Sequence, residues 1–179
     1  MVDAPEQLRD REALKLLAVF INHLDNRKAN QRLVCLDGSS PQGCTGQTVM
    51  MIHDVGSTFG GGYKKEINDL SKVNFEDWSA KTIWDDPSTC TASVSAWGSQ
   101  NMKTTRVSEE GRQFLLNLLK GFSYGTMGRM RVENLFSAVD IKDRGGHTAA
   151  EWTDVFLRKV KEIEFPNGNS DTNFTCPPL

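Results

Sequence analysis

Two short polar stretches carry residue types that bind metal ions and phosphate groups. The first contains the carboxylate of Asp25 and, five positions later, the side-chain amide of Asn30. The second contains the carboxylate of Asp54, followed by Gly56, where the missing side chain lets backbone pass close to a ligand. Mg²⁺ prefers hard oxygen ligands of this kind, completed by water and by substrate phosphates. If the two stretches meet, the sequence predicts a site for metal and phosphate.

The elements around these stretches are predicted to bring them together. Residues 6–21 have apolar side chains at helical spacings, and the second half is apolar nearly all round, which predicts a central, covered helix. Residues 31–36 and 48–52 have the composition of short strands, and residues 37–46 between them form a loop by composition. We expect the strands to pair as an antiparallel hairpin with a wide loop. That pairing would return Asp54 toward the first stretch.

The middle of the chain shows weak periodicity. Over residues 63–105 we expect an irregular, packed region with short strands around Cys90 to Ala96. This region carries three tryptophans, which we interpret as core anchors rather than as a binding platform. They are Trp78, Trp84 and Trp97.

Three helices are predicted after this region and form a C-terminal helical bundle. Ser108 is a candidate cap for the first helix, and Thr148 opens a capping box at the start of the last. His147 lies in a Gly-rich loop and is expected to face solvent. The predicted fold class is therefore α+β and mainly helical, with a single domain over residues 1–165 and an irregular tail over residues 166–179.

Charge and hydropathy exclude several partner classes. The chain has 179 residues and a net charge of −2, so no basic field favours nucleic acid. No apolar run approaches the length of a membrane span, and the acidic residues near Met1 do not fit a signal peptide. We expect a soluble protein without a transmembrane segment, either cytoplasmic or exported.

The four cysteines leave the redox compartment open. They are Cys35, Cys44, Cys90 and Cys176. None forms a C-x-x-C pair, so a zinc knuckle is not favoured. Four free thiols in a cytosolic protein and two disulfides are both compatible with the sequence. A bond between Cys35 and Cys44 would staple the hairpin, and one between Cys90 and Cys176 would tie the tail to the middle of the chain.

The first polar stretch resembles the protein-kinase catalytic loop. His23-x-Asp25-x-Arg27-x-x-Asn30 is similar to H-R-D-x-K-x-x-N, with the same spacing from the acid to the amide. Arg27 occupies the position of the loop lysine. The likeness is closer to divergent bacterial and lipid-kinase-like proteins than to standard eukaryotic kinases.

The second stretch resembles the kinase D-F-G motif. Asp54-Val55-Gly56 has valine in place of phenylalanine. The order of helix, catalytic loop, strand hairpin and D-x-G is the order found in the C-terminal lobe of a kinase. The resemblance therefore implies a kinase C-lobe-like fold, with the later helices as the lower part of that lobe.

The same resemblance implies a function and a role for each residue. The chain would be a kinase-like phosphotransferase lobe that binds ATP and Mg²⁺ or Mn²⁺. Asp25 would be the catalytic base, and Arg27 would contact the transferring phosphoryl group. Asn30 and Asp54 would hold the metal, with Gly56 beside the nucleotide. A kinase also needs an N-lobe, and residues 1–7 cannot provide one, so the chain would be a truncated or split lobe, or another element or partner chain would close the pocket.

Two other functions fit parts of the sequence. His53-Asp54 followed by Val55-Gly56 resembles the H-D-x-G motif of HD-type phosphohydrolases, whose histidines and aspartates hold metals that activate water. His23 would be a further ligand there, and Asp140 or Asp143 the last. A pseudokinase lobe or another non-catalytic binding module is the third alternative.

Overall fold

The computed structural model describes residues 5–23, 30–36, 38–40, 43–52, 58–60, 73–94, 105–138, 146–170 and 174–179. The helices are α1 (Pro5–Phe20), α2 (Phe75–Ala80), α3 (Glu109–Ser123), α4 (Gly128–Ala138) and α5 (Ala149–Glu164). The strands are β1 (Gln31–Cys35), β2 (Ser39–Ser40), β3 (Gly43–Cys44), β4 (Thr48–Ile52), β5 (Trp84–Asp86) and β6 (Thr91–Ala92). The predicted class, α+β and mainly helical, is confirmed. Within these ranges no helix is both long and apolar enough to cross a membrane.

Helix α1 is covered by the C-terminal helices, as its composition predicts. Leu16 and Phe20 are 0% and 1% exposed, and α1 packs along α3. The two helices approach closely at Gly111 of α3, because a Cβ atom there would lie 2.5 Å from the Cβ of Glu12. A buried ion pair between Glu12 and Lys15 lies on the same side of α1, and its ammonium also donates to the carbonyl of Arg106. The helix is therefore anchored in the core along its second half.

The predicted hairpin is present. Strands β1 and β4 pair in antiparallel register from Gln31 opposite Ile52 to Cys35 opposite Thr48. The intervening loop is more regular than its composition predicts, because β2 and β3 continue the turn as a second small antiparallel pair. Thr45 accounts for part of this order, since its backbone N–H donates to the carbonyl of Gly38 at 3.2 Å. We call the β1–β4 pair the ribbon.

The predicted helix starts in the C-terminal bundle are confirmed. Ser108 Oγ accepts a hydrogen bond from the N–H of Gly111, which satisfies an otherwise unpaired donor in the first turn of α3. At α5 the Thr148 side chain and the Glu151 carboxylate bond each other's backbone N–H groups, which is a complete capping box. The face of α5 that enters the core is formed by Trp152, Val155, Phe156, Val160 and Ile163.

The middle region contains one helix that its weak periodicity does not predict. Helix α2 begins after Asn74, whose side chain accepts from the N–H of Asp77 at 3.1 Å. The expected short strands are β5 and β6, which pair through Trp84 and Ala92. Trp78 and Trp84 are 0% and 6% exposed, so both are core anchors as predicted, while Trp97 lies outside the described residues.

Both candidate disulfides are formed. Cys35 bonds to Cys44, and Cys90 bonds to Cys176. Disulfides persist in oxidising compartments, so this pairing fits an exported protein. Residues 174–179 have no regular secondary structure, yet the second bond and two hydrogen bonds from Arg106 to the carbonyls of Pro177 and Pro178 hold them against the core.

Candidate functional site

Most candidate residues lie in two segments outside the described part of the chain. The first acidic segment is residues 24–29, and the second acidic segment is residues 53–57. The candidate residues within them are Asp25, Arg27, Asp54 and Gly56. Asn30 is described and is 8% exposed. The structure describes the residues that flank the two segments.

One pair of flanks is joined by the ribbon. Gln31 lies opposite Ile52 in the antiparallel register. The first acidic segment leads through Asn30 into β1, and the second acidic segment begins directly after β4. The strand residues that follow the first segment and precede the second are therefore neighbours at the same end of the ribbon.

The other pair of flanks is joined by a backbone hydrogen bond. The N–H of Phe59, which follows the second acidic segment, donates to the carbonyl of Ile21 at 2.6 Å. Ile21 directly follows α1, and Asn22 and His23 separate it from the first acidic segment. The described residues that flank the two segments are therefore joined in two pairs, Gln31 with Ile52 and Ile21 with Phe59.

The end of α1 directs the chain into the first acidic segment. Asn22 adopts a left-handed backbone conformation with φ of 46°, which asparagine tolerates better than most residues. This conformation ends the helix, and the N–H of His23 donates back to the carbonyl of Ala18 at 2.7 Å. Asn22 and His23 are 7% and 3% exposed, so the chain enters the segment from inside the protein.

An aromatic cluster surrounds Phe59, which lies two residues after the second acidic segment. The ring of Phe59 contacts Trp78, Trp152 and Phe136 in edge-to-face geometry, with centroid distances of 5.2, 6.0 and 6.3 Å. Such contacts fix a ring in both position and orientation. Trp78 Nε1 in turn donates to the carbonyl of Phe20 at 2.8 Å. The cluster therefore joins α1, α2, α4 and α5 to Phe59.

Buried charges in the described part of the chain satisfy backbone carbonyls. The Arg112 guanidinium pairs with Glu109 at 2.6 Å and donates to the carbonyl of Ile163 near the end of α5. The Lys159 ammonium donates to the carbonyl of Lys81, which follows α2. Burial lowers the pKa of Lys159 to about 8. The sequence does not predict these contacts, because a single charged residue on an apolar helix face does not indicate which backbone carbonyl it will bind.

His147 is only partly exposed, whereas the sequence predicts that it faces solvent. Its ring stacks on Phe75 with a centroid distance of 3.8 Å, and the side chain is 19% exposed. Nε2 lies 3.2 Å from a carboxylate oxygen of Glu76, and Nδ1 lies 3.7 Å from one of Glu151. The expectation failed because α2, which supplies Phe75 and Glu76, was not predicted.

No metal centre is formed by the described residues. Among them, no group of three or more His, Cys, Asp or Glu side chains could hold a metal ion. The carboxylate assigned to the metal, Asp54, lies outside that part of the chain, as do the HD-type candidates His53, Asp140 and Asp143. Two proposed ligands lie in the described part of the chain. They are Asn30 at the start of β1 and the HD-type candidate His23 after α1, which are 8% and 3% exposed.

Comparisons with protein-family models, with curated proteins and with solved structures found no match to this chain. The likeness to kinases consequently depends on the two short motifs and on the order of the elements that carry them.

Proposed function

We propose that this chain is a kinase-like phosphotransferase lobe that binds the phosphates of ATP through Mg²⁺ or Mn²⁺. The observation that supports the proposal is the double connection of the two acidic segments. The ribbon joins one pair of flanks, and the hydrogen bond from Phe59 to Ile21 joins the other. A phosphoryl-transfer site needs an acid, an amide and a second carboxylate to converge, and here these residues come from separate parts of the sequence.

Each candidate residue has one role in this proposal. Asp25 orients the attacking hydroxyl and accepts its proton, and Arg27 contacts the transferring phosphoryl group. Asn30 and Asp54 supply oxygen ligands to the metal, which bridges the nucleotide phosphates. Gly56 leaves room for the nucleotide beside the backbone.

The nucleotide also needs a cover that excludes water from the phosphates. In kinases this cover is the N-lobe, with its Gly-rich loop and strand lysine. We propose that another segment or a partner chain supplies it. Until that cover is present, we expect weak nucleotide binding, because the phosphates remain solvated on one side.

The strand before His53 favours this proposal over an HD-type phosphohydrolase. HD-type folds are helical around their metal ligands, whereas β4 ends at Ile52, immediately before the His53-Asp54 pair. A non-catalytic binding module remains the main competing function. Metal-dependent nucleotide binding distinguishes the proposed phosphotransferase from a non-catalytic binding module.

The proposal is tested by thermal unfolding with ATP in the presence and absence of Mg²⁺ or Mn²⁺. A ligand that binds only the folded protein raises the melting temperature, so we expect a rise that requires both metal and ATP. Asp54→Ala should abolish this rise, because it removes a metal ligand. Asp85→Ala changes an exposed carboxylate on β5 and is the matched control, with the wild-type response expected.

The outcomes separate the three functions. An unchanged response in Asp54→Ala would contradict the assigned site. A melting temperature indifferent to both metal and ATP indicates a binding module. A transition metal that co-purifies and is lost in both His53→Ala and His23→Ala indicates the HD-type hydrolase instead.

A further inference from the structure

The two disulfides differ sharply in their access to solvent. Cys90 and Cys176 are 0% and 4% exposed and lie within the hydrophobic core. Cys44 is exposed, and Cys35 is half-buried. Thiol–disulfide exchange requires a thiolate to reach a sulfur atom directly. A small reductant can therefore reach the Cys35–Cys44 bond while the Cys90–Cys176 bond is shielded.

The exposed disulfide lies at the opposite end of the ribbon from the acidic segments. Cys35 is opposite Thr48 at one end of the register, and Gln31 is opposite Ile52 at the other. The bond joins the end of β1 to β3 across a sequence separation of 9. The pairing of β1 with β4 therefore connects this bond to the residues that flank the candidate site.

Within the described part of the chain, few other contacts stabilise the ribbon. Among the described strands, β1 and β4 pair only with each other, and the packing of the ribbon on helices is mainly between β4 and α1. A two-stranded hairpin by itself is marginally stable in water. Closing its loop with a covalent bond therefore supplies a large share of the ribbon's stability.

We propose that the Cys35–Cys44 disulfide is a redox-responsive staple that controls how firmly the ribbon holds the candidate site. A thiol reductant opens this bond selectively, the ribbon frays, and binding of metal-bound nucleotide weakens. The loosening of the ribbon is independent of function, while the weakened binding rests on the function proposed above.

The chemistry is a two-electron exchange. A thiolate of the reductant attacks one sulfur of the Cys35–Cys44 bond and forms a mixed disulfide, with the other cysteine leaving as a thiolate that takes up a proton. A second thiol of the reductant resolves the mixed disulfide. The products are two cysteine thiols in the protein and one oxidised disulfide of the reductant, and oxidation by a disulfide reverses the step.

The test titrates the folded protein with dithiothreitol, traps free thiols by alkylation and assigns them by peptide mass spectrometry. We expect Cys35 and Cys44 to be alkylated at reductant concentrations that leave Cys90 and Cys176 bonded. In that state, amide hydrogen exchange should become faster in residues 31–35 and 48–52 and remain slow in α3 and α5. Binding of Mg²⁺ and ATP should weaken by about tenfold or more, as when support for a metal ligand is lost, and reoxidation should restore it.

A double variant provides the control. Cys35→Ser with Cys44→Ser should show the fast ribbon exchange without reductant and no further change when reductant is added. Simultaneous reduction of both bonds, or unchanged ribbon exchange after selective reduction, would overturn the staple. Unchanged nucleotide binding after selective reduction would overturn its control of the site. If the oxidised protein does not bind Mg²⁺ and ATP at all, the proposed function fails, and hydrogen exchange alone then decides whether the staple stands.

Discussion

At the scale of single residues, Lys159 shows how burial lowers the pKa of a side chain that binds a backbone carbonyl. The side chain is 0% exposed, and its ammonium donates to the carbonyl of Lys81 and lies 5.8 Å from the ring centre of Trp78. Loss of hydration is the largest cause of its lowered pKa of about 8, and the nearby Glu162 opposes the shift only in part. The folded protein therefore binds this proton more weakly than the unfolded chain does.

This difference predicts a pH-dependent stability. Between about pH 8 and pH 10 the unfolded chain binds more protons at Lys159 than the folded protein, so the free energy of unfolding should rise with pH. The contribution is at most about 1.4 kcal/mol per pH unit. Lys159→Met should flatten the rise, measured by urea unfolding at several pH values.

Other titrating groups do not obscure that measurement. Burial also lowers the pKa of Lys15, but this residue is unchanged in the variant, so its contribution cancels in the comparison. Burial and the bond to Glu164 raise the pKa of Tyr124 to about 12, which lowers stability only above the pKa of about 10 of an unfolded tyrosine. Equal slopes for wild type and Lys159→Met below that pH would show that Lys159 does not carry the effect.

At the scale of elements, Gly60 fixes the turn that follows the second acidic segment. Its φ is +74°, and a Cβ atom there would lie 2.4 Å from the carbonyl oxygen of Asn74, just before α2. We expect Gly60→Ala to destabilise the protein by about 2 kcal/mol or more, from left-handed strain and from the clash with backbone. Urea unfolding measures this directly.

Gly121 provides the matched control for that substitution. It lies in α3, is exposed, and has open space around an added Cβ atom. Gly121→Ala should stabilise the protein by about 0.5–1 kcal/mol, because alanine has the higher helix propensity. If both glycine substitutions changed the free energy of unfolding in the same direction, backbone strain at Gly60 would not explain its effect.

The elements differ in how far the sequence could predict them. Long periodic helices such as α1 and α5, and the hairpin that becomes the ribbon, carry signals over many residues, and they are present near the predicted bounds. Helix α2 has only six residues, so periodicity cannot reveal it, although Asn74 and the acidic residues after it were a usable start signal. The aromatic contacts of Phe59 depend on four helices at once, so no local pattern could predict them.

The candidate site was predictable to a lesser extent. The spacing from Asp25 to Asn30 and the D-x-G pattern suggested phosphoryl-transfer chemistry, and the hairpin predicted that their flanks would meet. The ribbon register confirms the hairpin and places Gln31, which follows Asn30, opposite Ile52, which precedes the second acidic segment. The hydrogen bond between Phe59 and Ile21 could not be predicted, because it joins two backbone groups and does not depend on the types of the two residues.

At the scale of the whole molecule, the two disulfides should contribute unequally to stability. The Cys90–Cys176 bond spans a sequence separation of 86, and the Cys35–Cys44 bond spans one of 9. Loop-closure entropy gives about 4–5 kcal/mol for the former and about 3 kcal/mol for the latter. We expect the double serine variant at Cys90 and Cys176 to lose more unfolding free energy than the one at Cys35 and Cys44, as measured by chemical denaturation. A larger loss in the variant at Cys35 and Cys44 would show that burial and strain, not loop length, determine how much each disulfide stabilises the protein.

The long separation of the buried disulfide also sets an order of events during synthesis. In an oxidising compartment Cys35 and Cys44, which are only 9 residues apart, can pair before Cys90 arrives, and that pairing would remove both from competition for it. Cys176 follows Cys90 by 86 residues, so the helices α1 to α5 have been translated before the second bond can form. Each cysteine therefore becomes available to its correct partner in the order of the chain. If the Cys35–Cys44 bond forms late, we expect forms with incorrect disulfides that involve Cys90 to accumulate.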